Sequence, residues 1–79
     1  MSQQDIRIAL ERVFRELFED EPFEFSDSLS RENLKSWDSL GHIRLIAAIE
    51  AAFDVAFTID EIESLTTAAR IVERISARS

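Results

Sequence analysis

Trp37-Asp38-Ser39-Leu40-Gly41-His42-Ile43-Arg44-Leu45-Ile46-Ala47-Ala48-Ile49-Glu50-Ala51-Ala52-Phe53 is the stretch that decides the fold. Leu40, Ile43, Ile46, Ala47, Ile49 and Phe53 recur at the three- and four-residue spacing of one helical face. The pattern predicts a helix over 39–53 with that stripe turned inward. Asp38 stands where a carboxylate accepts the first free N–H groups of the helix, the N-cap position.

Upstream, Ile6, Leu10, Val13, Phe14 and Leu17 form a second stripe, with Arg7, Glu11, Arg12, Arg15 and Glu16 opposite, and predict a helix over 3–18 capped by Ser2 with Asp5 three residues on. From Glu19 the periodicity fails, and Pro22 with Ser26, Asp27 and Ser28 marks a connection that runs to about Trp37. Phe23, Phe25, Leu29 and Leu34 are too apolar for a solvated linker, so the loop is expected to lie across the helices and join the core. A helical turn is placed near 31–35. Downstream, Asp54 to Phe57 breaks the pattern. Thr58 with Glu61 is a capping-box signature that opens a short helix over 59–64. Thr66 or Thr67 caps a last helix, whose residues Ala68, Ile71, Val72 and Ile75 face inward to about residue 76. The expected architecture is all-α, three principal helices and one short one with a long first loop, in a single domain over 1–79.

Composition agrees and narrows the function. The 79 residues are 46% apolar, with one Gly, one Pro and no Cys, which favours helices over tight-turned β-structure and excludes disulfide and thiolate-metal frameworks. A chain this small has room for a modest core but not for a deep cleft with its own supporting shell, so a conventional enzyme is disfavoured. Sixteen acidic against nine basic residues, net charge −7, argue against nucleic acid and anionic membrane surfaces and point to a basic protein partner. Neither a secretion leader nor an apolar run of transmembrane length is evident, which makes the cytoplasm the expected compartment.

The chemistry-bearing candidate is Ser39, a hydroxyl in the first turn of the strongest helix. Free N–H groups and the positive end of the helix dipole make that turn a favourable seat for an anion such as a phosphodiester. Asp38 beside it caps the helix and is placed to position a metal ion or transferase group while the serine is modified. Read on their own, the two residues are better explained as plain caps, which is what such residues usually are.

Beyond these residues the sequence resembles the acyl carrier protein family. The likeness runs from Asp38-Ser39-Leu40 through Ile49-Glu50-Ala51-Ala52-Phe53-Asp54, the short acidic segment Asp60-Glu61-Ile62-Glu63 and Leu65-Thr66-Thr67 to the closing segment 71–75. It implies a small acidic helical bundle that carries acyl groups as thioesters on a 4′-phosphopantetheine arm, with Ser39 as the attachment residue flanked by Asp38 and Leu40. The implied partners are a phosphopantetheinyl transferase working with Mg²⁺, an acyl- or aminoacyl-activating ligase, and synthase or acyltransferase enzymes of a fatty-acid, polyketide or specialised pathway. The chain itself is expected to be a monomer and not a catalyst. The absence of Cys is consistent, because the reactive sulfur belongs to the arm. Alternatives are an aminoacyl carrier and an unmodified helical adaptor on the same scaffold.

Asp27-Ser28-Leu29 repeats the same three letters, but no long periodic helix follows Ser28, which reads as a turn residue or local cap. Two departures from the family pattern stand out. Gly41, Arg44 and Ala51 occupy positions where the family often has acids, so the docking surface is expected to use Arg44 as a selective charge beside Glu50, with Asp60, Glu61 and Glu63 as the denser acidic patch. Trp37 stands where Gly is frequent in fatty-acid carriers, as in discrete specialised carriers, and is expected to pin the loop onto the helix after it. His42 lies one turn from Asp38 and Ser39, yet a hydrolase triad lacks its nucleophile elbow and oxyanion donors. The histidine is expected to be solvated, as is the Glu19-Asp20-Glu21 run, which lacks calcium-loop spacing.

Overall fold

A computed structural model describes residues 2–78 and contains four α-helices: α1 (Gln3–Leu17), α2 (Ser39–Phe53), α3 (Ile59–Ser64) and α4 (Ala68–Arg78). A single 3₁₀ turn, Arg31–Asn33, lies in the long first loop. No strand occurs among the described residues, and none of their helices is long and apolar enough to cross a membrane. The all-α bundle expected from periodicity is therefore the observed fold.

The caps follow their local chemistry. Ser2 Oγ accepts the Asp5 N–H (3.1 Å), Asp38 Oδ1 accepts the Gly41 N–H (2.8 Å), and Thr67 Oγ1 accepts the Arg70 N–H (3.1 Å). At α3 the capping box is reciprocal. Thr58 Oγ1 accepts from Glu61 N and Glu61 Oε1 accepts from Thr58 N.

α1 packs against both α2 and α4. It buries Ile6, Leu10 and Phe14, with Val13 and Leu17 partly covered, as its stripe predicts. Phe18, expected inside the helix, is instead its C-cap, and its ring joins the core. α4 buries the four residues expected and runs two residues further, to Arg78. The first loop also contributes to the core: Leu29, Leu34 and Trp37 are buried, and Phe23 and Phe25 pack edgewise or tilted on Phe14. A lone bridge between Ser30 and Thr67 ties the loop to the start of α4.

The stripe on α2 needs correction. Its buried residues are Gly41, His42, Leu45, Ile46 and Ile49, whereas Leu40 and Ile43 are each 64% exposed and Ala47 is exposed. The helix is apolar nearly all round, so spacing alone admits several faces. Packing selects the face on which Gly41 lets the Ser36 carbonyl lie against the helix. A Cβ at Gly41 would overlap that oxygen and stand 3.3 Å from Asp38 Oδ1.

Candidate functional site

Ser39 is exposed on the first turn of α2. Helix geometry leaves the opening N–H groups without carbonyl partners, and Asp38 takes only the one at Gly41. Its carboxylate is thus turned into the helix as a cap, which leaves the serine hydroxyl facing outward.

Three contacts hold this turn in place. Trp37, 1% exposed, stacks edgewise on Phe14 with ring centroids 5.2 Å apart, so the residue two before the serine is fixed to α1. Its indole Nε1–H donates to His42 Nδ1 (2.9 Å), and His42 Nε2 lies 2.8 Å from the Ile62 carbonyl of α3. With Nδ1 accepting, the proton sits on Nε2 and is donated to Ile62. Glu21 reaches across the loop and accepts the Lys35 and Ser36 N–H groups, each at 2.8 Å. Those N–H bonds, Lys35 first, hold its carboxyl below the ordinary glutamate value.

These contacts revise two expectations. His42 is a buried link from Trp37 to α3, where both its nitrogens and the indole N–H find partners. Glu21 is a loop clasp, whereas Glu19 and Asp20 are exposed as expected. Trp37 packs as its size predicts. Ser28 lies in a turn with its hydroxyl 3.0 Å from that of Ser26, consistent with a turn residue.

The expected partner-facing acids divide. Glu50 is half-buried and accepts the Phe57 N–H (2.8 Å). Glu61 has a side chain only 15% exposed, bonded to Thr58 N and to Arg78 Nη2 (2.6 Å), with Arg74 Nη1 at 3.6 Å. The Thr58 N–H, then Arg78 and Arg74, hold its carboxyl below the usual range. Both carboxylates are engaged inside the fold, and Asp60 and Glu63 carry the exposed charge of α3. Arg44 is exposed and lines a shallow depression between the end of α1 and the start of α2, together with Glu16, Glu19, Asp20, Ser36 and Leu40. That acidic rim, from the last turn of α1 and the residues just after it, is distant from Ser39 in sequence, and no local motif announces it.

One further residue at the site was not legible at all. Arg31, on the 3₁₀ turn, donates through Nε to the Trp37 carbonyl (3.0 Å) and brings Nη2 within 3.5 Å of Ser39 Oγ. The serine turn therefore has a guanidinium at hand in addition to the helix terminus.

A family model described as phosphopantetheine attachment site matches residues 9–75. The chain belongs to this family. No curated protein matches the chain. Membership makes this phosphopantetheine attachment domain a carrier, and the group that such a domain takes covalently is 4′-phosphopantetheine. Domains of this kind are typically non-catalytic and work with the enzymes that modify and use them. The turn of Ser39 combines an exposed hydroxyl, opening N–H groups of a helix and a nearby guanidinium.

Proposed function

We propose that the whole chain, 1–79, is a single non-catalytic carrier domain and that Ser39 is the residue that takes the arm. The observation that carries this reading is the outward Ser39 hydroxyl on a turn held from both sides, by Trp37 on α1 and by His42 on α3. A transferase needs a nucleophile that it can reach on a base that does not yield, and this turn supplies both. When bound, the arm supplies a terminal thiol that holds an acyl or aminoacyl group as a thioester. Ser39 anchors it, Asp38 keeps the first turn of α2 wound, and Leu40 and Ile43 offer an exposed apolar face one turn long beside the attachment point.

The partners proposed are a phosphopantetheinyl transferase, an acyl- or aminoacyl-activating ligase, and a synthase or acyltransferase, acting in the cytoplasm on a monomeric carrier. Their docking is assigned to Leu40, Ile43 and Arg44, with Asp60 and Glu63 as flanking charges. Glu50 and Glu61 act indirectly, by fixing the segment between α2 and α3.

Coexpression with a broad-specificity phosphopantetheinyl transferase tests the assignment by intact mass. The wild type is expected to gain one phosphopantetheine mass, and Ser39→Ala none. Loading that persists in Ser39→Ala and disappears in Ser28→Ala overturns it.

A further inference from the structure

We infer that Arg31 is a positioning residue for the phosphodiester carried by the serine, an inference that rests on the assignment of Ser39. Nη2 of Arg31 lies 3.5 Å from Ser39 Oγ, at the limit of a hydrogen bond to a neutral hydroxyl. A phosphorus on that oxygen would carry its non-bridging oxygens two bonds beyond Oγ, within reach of a guanidinium at this distance, and charge-assisted bonds of that kind are roughly twice as strong as neutral ones. The contact is thus weak to the bare serine and strong to the modified one.

Arg31 is held for this purpose by its own surroundings. Nε donates to the Trp37 carbonyl at 3.0 Å, which fixes the plane of the guanidinium beside the residue that is itself pinned to Phe14 and His42. The 3₁₀ turn that carries Arg31 is fastened where it begins, at Ser30. Asn33 Oδ1 accepts the Ser30 N–H (3.2 Å), and the Ser30 bridge to Thr67 ties the turn to α4. A side chain whose backbone and Nε are already fixed loses less freedom on binding an anion than a free surface arginine does. Lysine could not act in the same way, because one ammonium cannot hold the Trp37 carbonyl and a phosphate in a fixed plane.

The test compares apo and loaded wild type, Arg31→Gln and Arg31→Lys, with intact mass reporting loading and far-UV circular dichroism reporting the fold. In the loaded wild type the ³¹P resonance is expected to be displaced from its value in the urea-unfolded loaded protein. In Arg31→Gln it is expected to move toward that unfolded value, with Arg31→Lys between the two. Identical resonances in loaded wild type and loaded Arg31→Gln overturn the role of Arg31 while leaving Ser39 intact; no added mass on the wild type overturns both. Should Arg31→Gln fail to fold, the Arg31 Nε–H resonance of the ¹⁵N-labelled wild type decides. A shift on loading supports the contact, and an unmoved signal refutes it.

Discussion

At the scale of single residues, Gly41 and His42 show two rules of thumb giving way to packing. A glycine inside a helix normally invites alanine, which gains about 1 kcal/mol of helix propensity. Here the added methyl would overlap the Ser36 carbonyl, and that oxygen belongs to backbone held by Glu21. Overpacking of this kind costs about 1–3 kcal/mol, so Gly41→Ala is expected to destabilise the protein, with a lowered urea midpoint; a raised midpoint would mean that the loop gives way freely. His42 links two groups that have no other partner of equal quality. His42→Phe keeps a ring in the core but leaves the Trp37 N–H unpaired and removes the shorter of two bonds to the Ile62 carbonyl, which keeps the Leu65 N–H (3.3 Å); a buried orphan costs about 1–3 kcal/mol. A loss of about 1–3 kcal/mol is expected in urea unfolding, and the emission of the only tryptophan should change in the folded baseline. The place of Ser39 at the start of α2 was legible because its signal is local, a hydroxyl next to a cap and ahead of a periodic helix. Arg31 was not, because eight positions and a loop separate it from Ser39, and only the fold of that loop brings them together.

At the scale of elements, what the sequence made plain were features whose partners lie within one turn. The Asp38 cap, the Thr58–Glu61 box, the Ser2 cap and the inward stripes of α1 and α4 all depend on three- and four-residue spacing, and all are present. The face of α2 was misread for the opposite reason: with apolar residues on most sides, its orientation is set by distant contacts, Trp37 and Ile62 through His42 and the Ser36 carbonyl at Gly41. The end of α2 depends on a left-handed residue, Asp54, with φ 53°, after which the Val55 N–H returns to the Glu50 carbonyl (3.2 Å) and the Glu50 carboxylate takes the Phe57 N–H. Glycine adopts that conformation without the Cβ penalty that L-residues meet there. Asp54→Gly is therefore expected to stabilise by up to about 1 kcal/mol, and Asp54→Val, branched at Cβ in the same conformation, to destabilise by about 1–2 kcal/mol. Thermal unfolding of the pair checks both signs at once, and equal midpoints would mean that the turn relaxes out of the left-handed region.

At the scale of the whole molecule, the net charge of −7 divides into carboxylates that brace the fold and carboxylates that face outward. Asp27 is held by a two-bonded pair with Arg7 that fastens the loop to α1, Glu21 clasps the loop to itself, and Glu61 joins α3 to α4 through Arg74 and Arg78. Glu16, Glu19 and Asp20 remain exposed beside Arg44, so this depression has one positive group set in an acidic rim, and the proposed docking surface includes it. Arg44→Glu is accordingly expected to weaken turnover with the native partner enzyme and to improve it with a generic synthase whose docking face is basic; unchanged rates with both would leave Arg44 an ordinary surface charge. The bracing group sets the response to acid. The carboxyls of Asp27, Glu21 and Glu61 all lie below their ordinary values in the folded protein, held by Arg7, by the Lys35 N–H and by the Thr58 N–H respectively. In the unfolded chain they return to about 4, so between those two ranges the unfolded state binds more protons and stability must rise with pH. It is fully present above the ordinary carboxylate range and is lost as pH falls through the depressed values. Repulsion among the outward acids acts the other way, since their protonation relieves it, but it is screened beyond about 8 Å at physiological salt. The expected result is a urea-derived stability that falls steeply below about pH 4 and falls there more steeply still when salt is added, because salt removes the opposing repulsion before it weakens close, hydrogen-bonded pairs. Glu61→Gln, which keeps an acceptor for the Thr58 N–H and gives up the titrating charge, should flatten the slope; a slope unchanged in that variant would show that the link between α3 and α4 does not govern acid unfolding.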